Sequence, residues 1–293
     1  MDRAWQKLPL LLRSSILAIA ISFSGALVWV ALSRANRRAM PDVPWAAPVM
    51  LGIIALSWRY LDGWGPPRST MAWRRQSFRA RWPARASTPW TILAILSVVA
   101  GAQSIIFLSL RLGNFEPDVF APDLGLRTAS PMLVYSSLVM TSLVAAFFEE
   151  AGFRGYMQGP LEKRYGPPLA IVATSILFYA IHLFQGWTHG DAITMTSVAL
   201  SLFVPSVFIG GLALVSESIV PCMAAHTIVD IVSLPFERQI VPGLNLTPVW
   251  ISGIDRHFLV CCAFLAVAVA GMAVSFTRIR RGRGVLVRAG RGV

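Results

Sequence analysis

About eight stretches of some 20 residues in this 293-residue chain are nearly free of charge, and no water-soluble domain of that length has a use for so many. They lie near 14–33, 43–61, 89–110, 131–157, 168–187, 192–215, 218–235 and 257–277, separated by charged or Pro/Gly-rich breaks. A hydrocarbon layer about 30 Å thick takes ~20 apolar residues per helical crossing, and backbone in lipid must satisfy its own N–H and C=O groups. Runs of this length therefore read as membrane helices. Composition agrees: 55% of residues are hydrophobic and 14% charged, too little charge to cover a soluble surface. The expected fold is all-α, a polytopic transmembrane helix bundle of about eight helices in one domain over 1–277, with a basic tail at 278–293 expected to be disordered. The second run carries Arg59 near its end, and little more than Glu217 separates the sixth from the seventh, so the expected count spans six to eight.

The formal charge of +12 is placed in the segments that flank these runs, a distribution that suits a membrane surface and gives no nucleic-acid groove. With the N terminus cytoplasmic, the inner segments hold Arg3, Lys7 and Arg13, then Arg68, Arg74, Arg75, Arg79, Arg81 and Arg85, then Lys163 and Arg164, then the tail from Arg278 to Arg291. The outer segments hold Glu116, Asp118, Asp123, His189, Asp191 and the stretch 237–256, with Arg34, Arg37 and Arg38 dissenting. This asymmetry places both termini inside, and the expected location is a bacterial inner membrane. The first run is too long for a signal peptide and reads as a retained helix. Between Pro67 and Pro83, Trp73, Phe78 and Trp82 alternate with arginines, the pattern of an interfacial helix on anionic lipid headgroups or of a solvated basic loop. The tryptophans at 45, 58, 64, 90, 187 and 250 fall near span ends, where interfacial anchoring accounts for them. Cys222, Cys261 and Cys262 have no metal-ligand spacing and read as small buried or lipid-facing residues.

An ionisable side chain at membrane depth costs at least ~2.5 kcal/mol on insertion scales, so each one is a functional candidate. They are Glu149, Glu150 and Arg154 on the fourth run, His182 on the fifth, and His226 with Asp230 on the seventh. Glu150 and Arg154 stand at i and i+4 with the acid first, the favourable order for an ion pair, which leaves Glu149 about 100° round the helix to face a cavity. Phe178 and His182, and His226 and Asp230, share helix faces in the same way. If the fourth helix runs to Tyr165, where Gly166-Pro167-Pro168 stops it, Glu149 lies ~24 Å and His182 ~21 Å from that turn, similar depths on antiparallel neighbours. His226 lies ~12 Å from a helix start near Ser218. His189 and His257 sit at span edges and are set aside as interfacial.

The run Glu149-Glu150-Ala-Gly-Phe-Arg154, the pair Phe178-x-x-x-His182 and the pair His226-x-x-x-Asp230 resemble the three successive motifs of the CPBP family, the CAAX prenyl endopeptidase and bacteriocin-processing group. The resemblance covers about 130–235 and matches in order and approximate separation. It implies a membrane-embedded glutamate-type endopeptidase acting on a lipidated or membrane-bound peptide, without a cofactor. Glu149 would be the general base that activates water together with His182, and His226 with residue 230 would stabilise the oxyanion. Glu150, Arg154 and Phe178 would support them. The family often has Asn where this chain has Asp230, and an ionised Asp cannot donate to an oxyanion. Asp230 must then be protonated, orient His226 through a ring nitrogen, or belong to a different mechanism. A zinc-dependent version of the protease on Glu149, His182 and His226 is the competing chemistry, although no His-Glu-x-x-His helix is present. A proton-coupled transporter and a non-catalytic membrane scaffold are the other readings.

Overall fold

The computed structural model describes residues 5, 7–83, 85–112, 129–183, 192–238 and 253–289. Its helices are α1 (Leu10–Ala39), α2 (Ala46–Leu61), the short α3 (Met71–Phe78), α4 (Thr88–Leu112) and α5 (Pro131–Glu149), then α6 (Gly159–Tyr165), α7 (Pro167–Leu183), α8 (Ala192–Ser216), α9 (Val220–Arg238) and α10 (Arg256–Ala289). A π-helical stretch, Glu150–Gln158, joins α5 to α6 without a break. No strand occurs among the described residues.

Five helical stretches are long and apolar enough to cross a bilayer: Leu10–Ala39, Arg85–Ser109, Pro131–Tyr165, Met195–Ser216 and Arg256–Gly282. The other three apolar stretches, Ala46–Leu61, Pro167–His182 and Val220–Leu234, are shorter. The molecule is thus a helical membrane bundle, with five long apolar helices and three shorter ones among the described residues. What sets the shorter ones apart is length. At 1.5 Å per residue the 16 residues of α2 reach ~24 Å, short of a ~30 Å hydrocarbon layer.

Local chemistry sets the helix ends that matter for the site. Ser130 caps α5, its hydroxyl accepting the Leu133 N–H at 3.4 Å, and Pro131 occupies the first turn, where its missing N–H is no loss. Gly166 closes α6 at φ +85°, a conformation that favours glycine, and its N–H donates to the Glu162 carbonyl at 3.1 Å. Pro167 and Pro168 then open α7, so α6 and α7 form a tight antiparallel hairpin. The sixth and seventh apolar runs are two helices. Glu217 turns the chain at φ +50°, the Ser218 hydroxyl donates to the Arg81 carbonyl, and the Ile219 N–H donates to the Arg79 carbonyl at 3.3 Å.

The π stretch is gripped on two sides. A Cβ on Gly152 would stand 2.7 Å from the Ala18 carbonyl oxygen of α1, and one on Gly155 would stand 3.2 Å from the Ser77 carbonyl oxygen of α3. The basic segment 65–88 is bound into this packing more than its composition suggests. Arg74 is buried and donates to the carbonyls of Tyr60, Trp64 and Gly65, while Arg79 pairs with Glu162 at 2.9 Å. Trp58, expected as an interfacial anchor, packs edge-on against Phe78 at 5.2 Å and stacks on Phe147 at 5.9 Å. Trp64 and Trp90 lie under Arg59 and Arg278. Arg34, Arg37 and Arg38 ride on the last turns of α1, and α10 continues as helix to Ala289 through most of the segment expected to be a disordered tail. Glu116, Asp118, Asp123, Trp187, His189, Asp191 and Trp250 lie outside the described residues.

Candidate active site

Glu149 is the last residue of α5 and Glu150 the first of the π stretch, so the two carboxylates leave the same helix in different directions. Glu150 points inward: its side chain is 0% exposed, whereas that of Glu149 is 19% exposed. The open carboxylate of the pair is therefore Glu149.

Buried charge needs partners, and Glu150 has two on one oxygen. Its Oε1 accepts from Arg154 Nη1 at 3.2 Å and from His226 Nδ1 at 2.8 Å. Arg154, 1% exposed, then spends Nη2 on α8, donating to the Ser206 hydroxyl at 2.8 Å and the Ser206 carbonyl at 3.1 Å. A chain of polar contacts thus runs from α8 through the π stretch to α9 inside an apolar bundle. The opposite ring atom, His226 Nε2, looks toward Asp230 Oδ1 at 3.6 Å and Glu149 Oε2 at 3.9 Å. Both distances exceed a direct hydrogen bond and are within reach of one bridging water.

His182 approaches from α7. Its Nδ1 donates to the Phe178 carbonyl at 2.7 Å, because a carbonyl can only accept, which in the neutral ring leaves Nε2 as the acceptor atom. Phe178 is the common wall: its ring centroid lies 4.5 Å from the His182 ring and 6.3 Å from the His226 ring, with the Arg154 guanidinium 5.2 Å above it. Phe153 packs on the same ring edge-on at 5.3 Å.

Glu149, Glu150, Arg154, His226 and Asp230 come together in one cluster, and Phe178 ties His182 to it. His257 is elsewhere, exposed and paired with Asp255 at 3.3 Å. The sequence left open whether Asp230 orients His226; the short contact on the ring comes from Glu150, with Asp230 at 3.6 Å from the other ring nitrogen. Ser206 was not among the expected residues, and a lone serine in an apolar helix carries no signal that would single it out. The cysteines are all free thiols. Among the described residues no three His, Cys, Asp or Glu side chains stand as a ready metal-ligand set.

Residues 131–232 match the family described as type II CAAX prenyl endopeptidase Rce1-like. No curated protein and no solved structure matches the chain. The matched segment contains every member of the cluster, from Glu149 on α5 to Asp230 on α9. The segment 131–232 thus matches a Rce1-like domain of the CAAX protease (CPBP) family.

Proposed function

We propose that the protein is a glutamate-type intramembrane endopeptidase that hydrolyses a peptide bond in a prenylated or otherwise membrane-associated protein. The observation that carries this reading is the meeting of an open carboxylate, Glu149, with the free edge of an oriented imidazole, His226, inside the matched segment. Glu149 takes a proton from water while the water oxygen attacks the scissile carbonyl carbon. His182, acceptor at Nε2, holds and orients that water. The carbonyl oxygen becomes an oxyanion opposite His226 Nε2, and Asp230 lies beside it. The C–N bond then breaks, and Glu149 returns its proton to the leaving amine, so the products differ from the substrate by one water.

The geometry also bears on the protonation of His226. Its Nδ1–H is engaged by the Glu150 carboxylate, so donation to an oxyanion from Nε2 requires protons on both ring nitrogens. Glu149 and Asp230 on the far edge supply the negative surroundings that such a cation needs. This gives Asp230 a use that Asn in its place would serve differently. A negative charge supports the cationic ring, whereas an amide could donate directly.

The same reading puts the enzyme in a bacterial inner membrane with both termini cytoplasmic and its basic flank on anionic headgroups. Supporting this, Arg75, Arg81 and Lys163 line an open cleft of about 860 Å³ between α3, α6 and the α8–α9 turn, rimmed by Trp73 and the exposed Trp82.

The decisive experiment uses purified protein in detergent and a fluorogenic peptide ending in an S-farnesylcysteine C-a-a-X sequence. The wild type should cleave it, and Glu149→Gln should abolish cleavage with unchanged thermal stability. Full turnover in Glu149→Gln would remove the mechanism. Retention of activity after exhaustive chelation is expected, and its loss with recovery on adding zinc would establish the metal version instead.

A further inference from the structure

We infer that Ser206, on α8 and outside the three motifs, is a positioning residue for His226, acting through Arg154 and Glu150. The inference rests on the endopeptidase reading above. The chain of contacts is continuous and buried: Ser206, Arg154, Glu150 and His226 are 2%, 1%, 0% and 8% exposed, and the links are 2.8, 3.2 and 2.8 Å long.

Besides the Phe178 ring, 5.2 Å from its guanidinium, the hydrogen-bonded anchors of Arg154 are Glu150 and Ser206. It reaches Glu150 through Nη1 only and α8 through Nη2 only, and its Nε has no hydrogen-bond partner. Glu150 is equally lean, since Oε2 has no partner and Oε1 carries both Arg154 and His226. A guanidinium is a planar fork, so its direction is set by where both terminal nitrogens are anchored. Removing the Ser206 hydroxyl leaves Nη2 the Ser206 carbonyl at 3.1 Å, which lets the fork tilt. Glu150 Oε1 must follow it, and the bond to His226 Nδ1 lengthens or bends. His226 Nε2, the atom that faces the reacting group, then swings relative to Glu149 and Asp230. Outer partners that fix a ligand or catalytic ring are worth about 10–100-fold when lost, and the surviving carbonyl contact puts Ser206 at the low end of that range.

The test compares wild type, Ser206→Ala and Ser206→Thr with the farnesylated peptide. Ser206→Ala should lower kcat about tenfold with KM unchanged, because the serine touches no substrate. Ser206→Thr, which keeps the hydroxyl, should restore most of it. A substrate-independent reading comes from 15N-histidine NMR of the same three proteins. The His226 Nδ1 signal should move in Ser206→Ala and return in Ser206→Thr, while the His257 signal stays in place. Unchanged kcat in Ser206→Ala, or an unmoved His226 signal, overturns the inference. If Glu149→Gln retains full turnover while the His226 signal still moves in Ser206→Ala, the endopeptidase reading fails and the positioning link stands.

Discussion

At the residue scale, the acidic pair divides into an open member and a buried one, and the buried one carries more of the architecture. Glu150 balances a guanidinium that has nowhere to find water, so Glu150→Gln should do more than weaken a hydrogen bond. Breaking one partner of a buried ion pair costs about 3–5 kcal/mol, because the other charge stays behind. A fall in thermal stability of that order, together with loss of turnover, is the expected outcome, read by melting in detergent and peptide cleavage. Asp230→Asn should behave oppositely. The amide preserves the shape and offers a donor toward the reacting oxygen, so activity should stay within a few-fold of wild type, while Asp230→Ala should lose about tenfold. Sequence spacing pointed to the members of this cluster and left the partner that orients His226 open. Helix periodicity pairs residues three or four apart, so it sees His226 with Asp230. The contact that orients the ring joins residues 76 positions apart, and the Arg154–Ser206 contact spans 52. Nothing local in the chain announces either.

At the element scale, the π stretch is what a reading based on α-helical rise could not foresee. Arithmetic at 1.5 Å per residue puts Glu149 ~24 Å from Tyr165 and His226 only ~12 Å from its helix start, a mismatch in depth for residues that meet. The i→i+5 bonding over Glu150–Gln158 winds more residues into each turn and shortens the first figure. Such stretches recur at functional sites, and here it follows directly after the catalytic carboxylate proposed above. The helix stop at Gly166 and the two prolines after it were legible because their chemistry is local. The grip of α1 on Gly152 was not, because it depends on which helix passes by. Gly152→Ala places a methyl group 2.7 Å from the Ala18 carbonyl oxygen, backbone that cannot rotate away. Overpacking of this kind costs about 1–3 kcal/mol, and α1 can relieve it only by moving off the π stretch. The expected result is a lower melting temperature and reduced turnover, whereas an alanine at Gly52, which has nothing within 4 Å, should leave both unchanged.

At the scale of the whole molecule, hydropathy pointed to a helical membrane bundle, and the described residues hold five long apolar helices beside three shorter ones. In the motif-bearing half, the shorter α7 and α9 bring Phe178 with His182, and His226, to the long Pro131–Tyr165 helix that carries the two carboxylates. Net charge adds the remaining constraint. Of the arginines between α2 and α4, Arg74 and Arg79 are spent inside the protein, so the surface attraction to lipid falls to the exposed Arg68, Arg75, Arg81 and Arg85, of which Arg75 and Arg81 line the cleft with Lys163. Near an anionic leaflet each such residue contributes about 1 kcal/mol, and the contribution fades beyond the Debye length. In nanodiscs of phosphatidylglycerol and phosphatidylcholine, wild type should therefore cleave a neutral farnesylated peptide equally well in both lipids. A peptide with lysines upstream of the cysteine should be favoured in the anionic discs, because the substrate itself is concentrated at the surface. The triple variant Arg75→Gln, Arg81→Gln, Lys163→Gln should keep its turnover and lose retention of phosphatidylglycerol on delipidation, measured by native mass spectrometry. Equal lipid retention in the triple variant would assign the cleft to some other use.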